Sequence, residues 1–392
     1  MKKYKPDDKF KRYFEKHISV IDRIHEYGYK AYFIGGCVRD AVMDRTPADF
    51  DIASDAEPDE IKKMFDNVKE TGIAFGTVTV KTDNSSYEIT TFRKESGYSD
   101  NRKPDIVTFS KSLYDDVKRR DFTINTLAYD KNHIFDYFNS YDDIKSKVIK
   151  TVGSPERRFT EDALRILRAV RFACTLDFNI DSKTLDNIIK YSYLLKSISK
   201  ERIYSELSKI ISKARSLKIL FDTGIACQIF IYPQYINQGF LKEGSFECRL
   251  TDLFYHYPDL HMIIEELKNL KTDNKTADTL LEVLKYIDND TDESSIRKLL
   301  TLISKSSISI ILEFKEQSRI VLDKVISEGY ITKANELAIS GHDIMAMGYS
   351  RNSIKEIKNF LLNKVIYDIS LNTKEKLEDI IKYTYNIPIV KQ

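Results

Sequence analysis

Over the first 150 residues, short apolar runs alternate with polar turns. Ala31-Tyr32-Phe33-Ile34, Phe50-Asp51-Ile52, Gly76 to Lys81, Tyr87 to Phe92 and Ile106-Val107-Thr108-Phe109 have the length and the β-branched or aromatic content of strands. Helix-period stretches over 10–27 and 58–66 separate some of them, which predicts a mixed α/β or α+β head. After Thr151 the helical period takes over, at 161–174, 182–196, 201–213, 259–269, 276–288, 294–304 and 372–383. No repeat of tens of residues and no low-complexity linker interrupts it. The pattern predicts a small mixed head and then a helical arm, with the boundary near Gly153-Ser154-Pro155.

Composition sharpens this picture in a few places. A chain of 392 residues implies two to three domains. Lys plus Arg is 62 against 60 for Asp plus Glu, a net charge of +2, so any nucleic-acid surface must be local. With 13 Gly and 8 Pro there is too little turn punctuation for an all-β protein. No apolar run approaches the roughly 18 residues of a membrane span. The beginning, Met1-Lys2-Lys3-Tyr4, has no apolar stretch behind it and reads as no secretory signal. Cys37, Cys174, Cys227 and Cys248 are too scattered for a metal site or a disulfide framework, and read as mostly buried thiols in a reducing cytoplasm.

Candidate chemistry begins at Gly35-Gly36-Cys37-Val38-Arg39-Asp40. Two glycines between a strand and a helix allow a tight turn whose free N–H groups suit phosphate, and Arg39 adds a charge-assisted contact. Alone, this also fits an ordinary strand-to-helix connection. One short helix later comes Asp49-Phe50-Asp51-Ile52. Alternate strand residues share a face, so Asp49 and Asp51 point one way while Phe50 and Ile52 point into the core. Paired carboxylates repel unless a cation lies between them, and Mg²⁺, a hard ion completed by phosphate oxygens, suits them. Two such ions activate an attacking hydroxyl and stabilise a leaving oxygen in phosphoryl transfer. A solvated edge strand with two surface acids is the plain alternative.

The run from Gly35 to Asp51 resembles the first motif of the class II tRNA nucleotidyltransferases, the template-independent CCA-adding family that shares its head with bacterial poly(A) polymerases. Ser86 to Arg93 is similar to the family strand that carries a third acid, here Glu88. Arg119-Arg120-Asp121-Phe122-Thr123-Ile124-Asn125 resembles the ribose-recognition motif, and Glu161-Asp162-Ala163-Leu164-Arg165 the EDxxR nucleotide-selecting motif. The resemblance implies an α+β fold with a polymerase-β-type nucleotidyltransferase head over 1–152. It further implies an elongated helical neck over 153–215 and a tRNA-binding helical body and tail over 216–392. It implies catalytic Asp49, Asp51 and Glu88, with Mg²⁺ on Asp49 and Asp51. It places Gly36, Arg39, Arg120, Asp121, Asp162, Arg165, Arg168 and Arg171 around the nucleotide. The partners would be the tRNA 3′ end, CTP and ATP, in the cytoplasm, as a monomer or homodimer.

The residues speak to some of these roles directly. Arg120 suits a triphosphate, and Asp121 or Asn125 can pair with sugar hydroxyls; Arg119 also reads as an ordinary Arg–Asp surface pair. In a helix over 161–174, Thr160 would be the N-cap, with Glu161 and Asp162 in the first turn. Ala163, Ile166, Leu167, Val170, Ala173 and Cys174 form one apolar stripe, leaving Arg165 and Arg168 on the other face. A carboxylate beside a guanidinium matches the donor–acceptor order that cytosine and adenine share and that guanine and uracil lack. Arg168 and Arg171 would assist through phosphates, or form a solvated basic face. Residues 196–218 hold seven Lys or Arg (196, 200, 202, 209, 213, 215, 218) against two acids, a stripe that could track an acceptor stem or merely be solvated.

The polar stretch from Thr91 to Pro104 resembles the flexible loop of members that add the terminal A, and so argues for CCA addition, with A-only and poly(A) addition as alternatives. The basic tails of poly(A) polymerases are missing at Pro388-Ile389-Val390-Lys391-Gln392. A small-molecule nucleotidyltransferase would not need the EDxxR helix or the arm. A non-catalytic RNA-binding relative would not keep Asp49 and Asp51. His342-Asp343 lacks companion metal ligands and reads as structural.

Overall fold

The computed structural model describes residues 1–82, 85–97 and 104–385. The centre of the loop read at 91–104 and the Pro388–Gln392 end lie outside the described residues. The chain divides into two compact units: Met1–Pro233 with Gln238–Phe240 and Asn269–Lys271, and Gln234–Asn237, Leu241–Lys268 and Thr272–Gln392.

The first unit opens with β1 (Lys2–Tyr4), α1 (Asp8–Arg12), α2 (Ile18–Glu26), β2 (Ala31–Ile34), α3 (Gly36–Val42), β3 (Phe50–Ser54) and α4 (Pro58–Met64). Next come β4 (Val68–Gly72), β5 (Thr77–Lys81), β6 (Ser86–Thr91), β7 (Arg93–Ser96), β8 (Ile106–Phe109) and α5 (Leu113–Lys118). They are followed by β9 (Ala128–Tyr129), β10 (Ile134–Asp136) and α6 (Ser140–Lys145). Eight strands form one mixed sheet in the order β1-β10-β9-β2-β3-β6-β5-β4. Every neighbouring pair is antiparallel except β3 with β6. A parallel pair needs a long crossover; here α4 and the β4–β5 hairpin supply it. The head is the α+β arrangement expected, but β3 is central, not an edge strand. The flanks of the 91–104 stretch are ordered: β7 and β8 form a separate antiparallel ribbon.

The helix predicted over 10–27 is two helices. The chain turns between them, so that Phe10 and Phe14 from one side and Val20, Ile21 and Ile24 from the other are all buried. Phe14 is fully buried, with its ring 5.0 Å from Phe10 and 4.9 Å from both Phe33 and Tyr129.

The head continues into β11 (Val148–Ile149), α7 (Pro155–Glu161), α8 (Leu164–Leu176), β12 (Asn179–Ile180), α9 (Ser182–Tyr191) and α10 (Lys200–Lys213). β11 and β12 pair in parallel, tying the end of the head to the chain beyond α8. The helix predicted over 161–174 begins elsewhere. Ser154 caps α7 and Pro155 occupies its first turn, a strong start signal. Thr160 therefore lies inside α7, its hydroxyl donating to Glu156 O, and is no N-cap. Asp162 is extended at φ −148°, ψ 104°, and separates α7 from α8.

In the second unit, Cys248 and the helices Glu293–Leu299, Lys305–Phe314 and Ile320–Glu328 enclose one apolar cluster. Ile354–Tyr367 and Lys374–Tyr385 enclose another. The predicted stretches 259–269, 276–288 and 372–383 appear as Leu260–Leu270, Asn274–Tyr286 and Lys374–Tyr385. Ser340 caps Gly341–Ala346, and Asp343 returns to the Ser340 N–H, so the His342-Asp343 pair belongs to a helix cap. All four cysteines are free; Cys227 is exposed, against expectation. Among the described residues no helix is long and apolar enough to cross a membrane.

Because Phe14 anchors the aromatic core beneath β2 and β3, Phe14→Ala should cost about 3–5 kcal/mol. Urea unfolding followed by circular dichroism checks this; a loss under about 1 kcal/mol would mean that the core does not depend on it.

Candidate active site

Two clefts of the first unit hold most of the residues singled out in the sequence. The first, about 420 Å³, is lined by Asp49, Phe50, Asp51, Thr79, Ser86 and Glu88. Asp49 stands just before β3 and Asp51 within it. Across the parallel pair Asp51 is in register with Glu88. Strand alternation turns Ile52 into the core, fully buried, while Asp51 and Glu88 stay open to the cleft. The three carboxylates therefore share one wall. Burial, Glu88 and Asp49 push the Asp51 carboxyl upward, and the Arg120 charge offsets part of this.

The chemistry of this donor set fits Mg²⁺: hard carboxylate oxygens whose mutual repulsion a divalent cation relieves. Among the described residues, no three His, Cys, Asp or Glu side chains converge into a ready cage.

The second cleft, about 310 Å³, is lined by Glu95, Arg119, Arg120, Asp121, Asp162, Leu164, Arg165, Arg168 and Arg202. Its size suits a nucleotide-scale ligand. Arg120 joins the two clefts: it lines this one, and its charge is felt at Asp51. Its guanidinium donates to the buried Asp116 at 3.3 and 3.4 Å. A Cβ on Gly35 would stand 3.0 Å from Arg120 Nη1, and Gly35 has φ +80°. Gly35 is thus the glycine that the turn requires. Gly36, the one expected at the nucleotide, has a helical conformation in which a Cβ would make ordinary contacts.

Arg39, expected at phosphate, is buried. It donates to Asp40 at 2.8 Å and to Asn125 Oδ1 at 2.7 Å. The Asn125 amide in turn donates to Asp121 at 3.3 Å. Asp121 also accepts from the Phe122 N–H and from Arg168 Nε, both at 2.8 Å. Burial would raise the Asp121 carboxyl, but Arg168, with Arg165 and the Phe122 N–H, holds it well below the usual range. Burial likewise opposes ionisation of Asp116 and Glu161, and their arginines override it.

The EDxxR segment is wired differently from the simple helical picture. Glu161 accepts from Arg158 at 2.6 Å, Arg165 at 2.7 Å and Arg157 at 2.8 Å. The Asp162 carboxylate accepts from Arg202 at 2.9 Å and from the Leu164 N–H at 3.1 Å. The arginines of α8 do avoid its apolar stripe, yet they are not a solvated face. Arg165 lies under Glu161, and Arg171 donates to Glu206 at 2.5 Å and does not line the cleft.

Three cleft residues, Arg202, Arg119 and Glu95, have roles that sequence patterns reveal at most in part. In the sequence Arg202 is only part of a basic stripe, but it turns inward, and its buried Nη1 has no partner among the described residues. Arg119 bridges Asp116 at 2.7 Å and Glu95 at 3.1 Å, more than a surface pair. The i, i+3 spacing of Asp116 and Arg119 is a visible signal for the first contact; nothing local announces Glu95. Of the basic stripe, Lys196, Lys209, Lys213, Arg215 and Lys218 are exposed.

Comparison with known proteins places the chain. Residues 31–150 match the family model described as poly A polymerase head domain. Residues 177–237 match "Probable RNA and SrmB- binding site of polymerase A". The chain is 36% identical over 378 residues to a CCA-adding enzyme of Lactobacillus helveticus, covering 89% of this chain and 94% of that one. It is 34% identical over 395 residues to a CCA-adding enzyme of Staphylococcus epidermidis, covering 93% and 96%. Among solved structures, the Bacillus stearothermophilus CCA-adding enzyme in complex with CTP superposes with a TM-score of 0.76 at 27% identity, covering 96% and 99%.

The cleft carboxylates also set an acid limit. Asp121, depressed in the folded chain, contributes stability above its ordinary value of 3.8 and loses it as pH falls through the folded value. Arg168→Met should therefore destabilise by about 1–3 kcal/mol at pH 7, with the gap to the parent closing below about pH 4. Chemical denaturation across that range measures it; a gap independent of pH would count against the pairing.

Proposed function

The chain belongs to the CCA-adding enzymes, the tRNA nucleotidyltransferases that share their head with poly(A) polymerases, and on that premise we propose how its own residues carry out the transfer. It adds CCA to the 3′ end of tRNA from CTP and ATP without a template. The observation that carries the mechanism is the shared wall of Asp49, Asp51 and Glu88 beside a nucleotide-sized cleft.

In the transfer, the 3′-hydroxyl oxygen of the tRNA forms a bond to the α-phosphorus, and the bond from that phosphorus to pyrophosphate breaks. Asp49 and Asp51 would hold Mg²⁺, which when bound would supply activation of the attacking hydroxyl and charge relief at the leaving oxygen. Glu88, in register with Asp51, completes the acidic wall. Arg120 sits between the clefts and takes the triphosphate, and Arg39 fixes Asn125 and hence Asp121 on the ribose side. Gly35 leaves room for Arg120, and Gly36 opens the helix that follows.

Base selection falls to Asp162 and Arg165. Glu161, pinned by Arg158, holds Arg165, and Arg202 holds Asp162. An acceptor beside a donor matches N4 with N3 of cytosine and N6 with N1 of adenine. Arg168 orients Asp121; Arg171, tied to Glu206, supports α8 from behind. The exposed lysines and arginine of 196–218 face the phosphate backbone of the acceptor stem, whose duplex is read by shape and charge. The division into head (1–152), neck (153–215) and body and tail (216–392) follows the same reading. The protein works in the cytoplasm, where its substrates are.

The decisive assay is primer extension with Mg²⁺ on tRNA transcripts ending at the discriminator base, at C and at CC. Addition of CCA and then a stop is expected. Extension from the CC end alone would make this an A-adding enzyme, and a long A ladder on any RNA a poly(A) polymerase. Asp51→Ala should abolish transfer while the folded protein still binds tRNA; near-normal turnover by a folded variant would sink the metal assignment.

Asp162→Ala should separately relax selection, raising UTP and GTP incorporation relative to CTP by about ten-fold or more. Unchanged discrimination in single-nucleotide assays would take base readout away from this segment.

A further inference from the structure

We infer that His17, at the start of α2, is a positioning residue for the catalytic carboxylates. This rests on the reading of Asp51 and Glu88 as catalytic. His17 caps α2 by position, but its side chain makes no cap hydrogen bond. It reaches instead to the sheet and touches both strands of the parallel pair. Its ring stacks on Phe50 of β3, with centroids 3.7 Å apart and planes at 25°. Its Nδ1 shares a 2.8 Å hydrogen bond with the Tyr87 hydroxyl of β6.

Phe50 and Tyr87 are themselves register partners, one step before the Asp51–Glu88 pair. One side chain thus fastens the two strands directly behind the point where the carboxylates stand side by side. Tyr87 is only 2% exposed, and among the described residues His17 is the hydrogen-bond partner of its hydroxyl. The carboxylates repel one another, and the sheet must hold them together against that repulsion. Backbone pairing sets their register, whereas the clamp sets how firmly the two strands keep their spacing. Transfer chemistry tolerates little misplacement of such groups.

The contacts predict a particular kinetic signature. His17→Phe keeps a ring on Phe50 but leaves the Tyr87 hydroxyl without its partner, and Tyr87→Phe removes the other half of the same bond. Each should lower kcat for CTP addition about ten-fold, with KM for CTP and tRNA within about two-fold. The double variant should be no worse than the poorer single one, because both remove one interaction. Ile24→Val, a buried change in the same helix, gives a control with comparable loss of stability and should leave kcat unchanged.

Normal kcat in folded His17→Phe, additive losses in the double variant, or an equal loss in Ile24→Val would each overturn the inference while leaving the enzyme's function intact. A parent protein that fails to extend tRNA in the same assay would instead overturn the functional reading, and this inference with it.

Discussion

The constraint on which the first unit turns is the repulsion among Asp49, Asp51 and Glu88. A protein that places three carboxylates on one wall must oppose their separation with something stiff, and must supply positive charge without neutralising them. The stiffness comes from the sheet. Its one parallel pair puts Asp51 and Glu88 opposite each other, and the centre of the sheet is where strand spacing is least free to change. The charge comes from Arg120, which tempers the rise of the Asp51 carboxyl without pairing with it. Arg120 is held in turn by Asp116, which is buried in α5. The turn at Gly35 must pass close to that guanidinium, and only a residue without a side chain at φ +80° allows it. A glycine, an arginine and a buried aspartate, far apart in sequence, thus answer one electrostatic problem.

The second cleft follows a related logic. Each of its arginines is committed to an acid: Arg119 and Arg120 to Asp116, Arg165 to Glu161, Arg168 to Asp121 and Arg202 to Asp162. Buried ion pairs are poor devices for stability, because desolvation consumes most of the attraction. Their concentration around one cleft is better explained by the rigidity they impose. Asp121 stays ionised despite its burial because Arg168 is there. A carboxylate held charged at neutral pH and an arginine paired with it make a fixed set of donors and acceptors.

Much of this is legible from residues alone, where the signal is local. The alternation of Asp49, Phe50, Asp51 and Ile52 foretells that the two acids face the cleft and that Ile52 is buried, because strand period is a property of the backbone; Phe50 is only half-buried and also lines the cleft. The chain around Glu161 misleads because two start signals compete. Thr160 before two acids imitates an N-cap, but Ser154-Pro155 wins, and the extended Asp162 then divides what looks like one helix. Whether Gly35 or Gly36 carries the essential turn depends on φ, which two adjacent glycines do not disclose. Arg202 can be counted but not placed, since its partner lies 40 residues away. His17 gives no sign at all, because its meaning arises only when β3 and β6 come together.

Selection without a template asks more of a pocket than recognition does. Two bases of different size must be accepted because they share one edge pattern, and two others refused because they reverse it. A flexible pocket would accept well and refuse badly, since an aspartate free to turn could let an arginine or a water meet the wrong edge. Here Asp162 is fixed by the Leu164 N–H and by Arg202, and Arg165 by Glu161 and the Arg158 carbonyl. With the proposed roles, a uracil or guanine edge would face a carboxylate acceptor with an acceptor and a guanidinium donor with a donor. Neither group can rotate away without breaking a charged contact of its own. The cost of refusal is then borne by half-buried polar groups left unpaired, which is the form of discrimination that proteins make steepest.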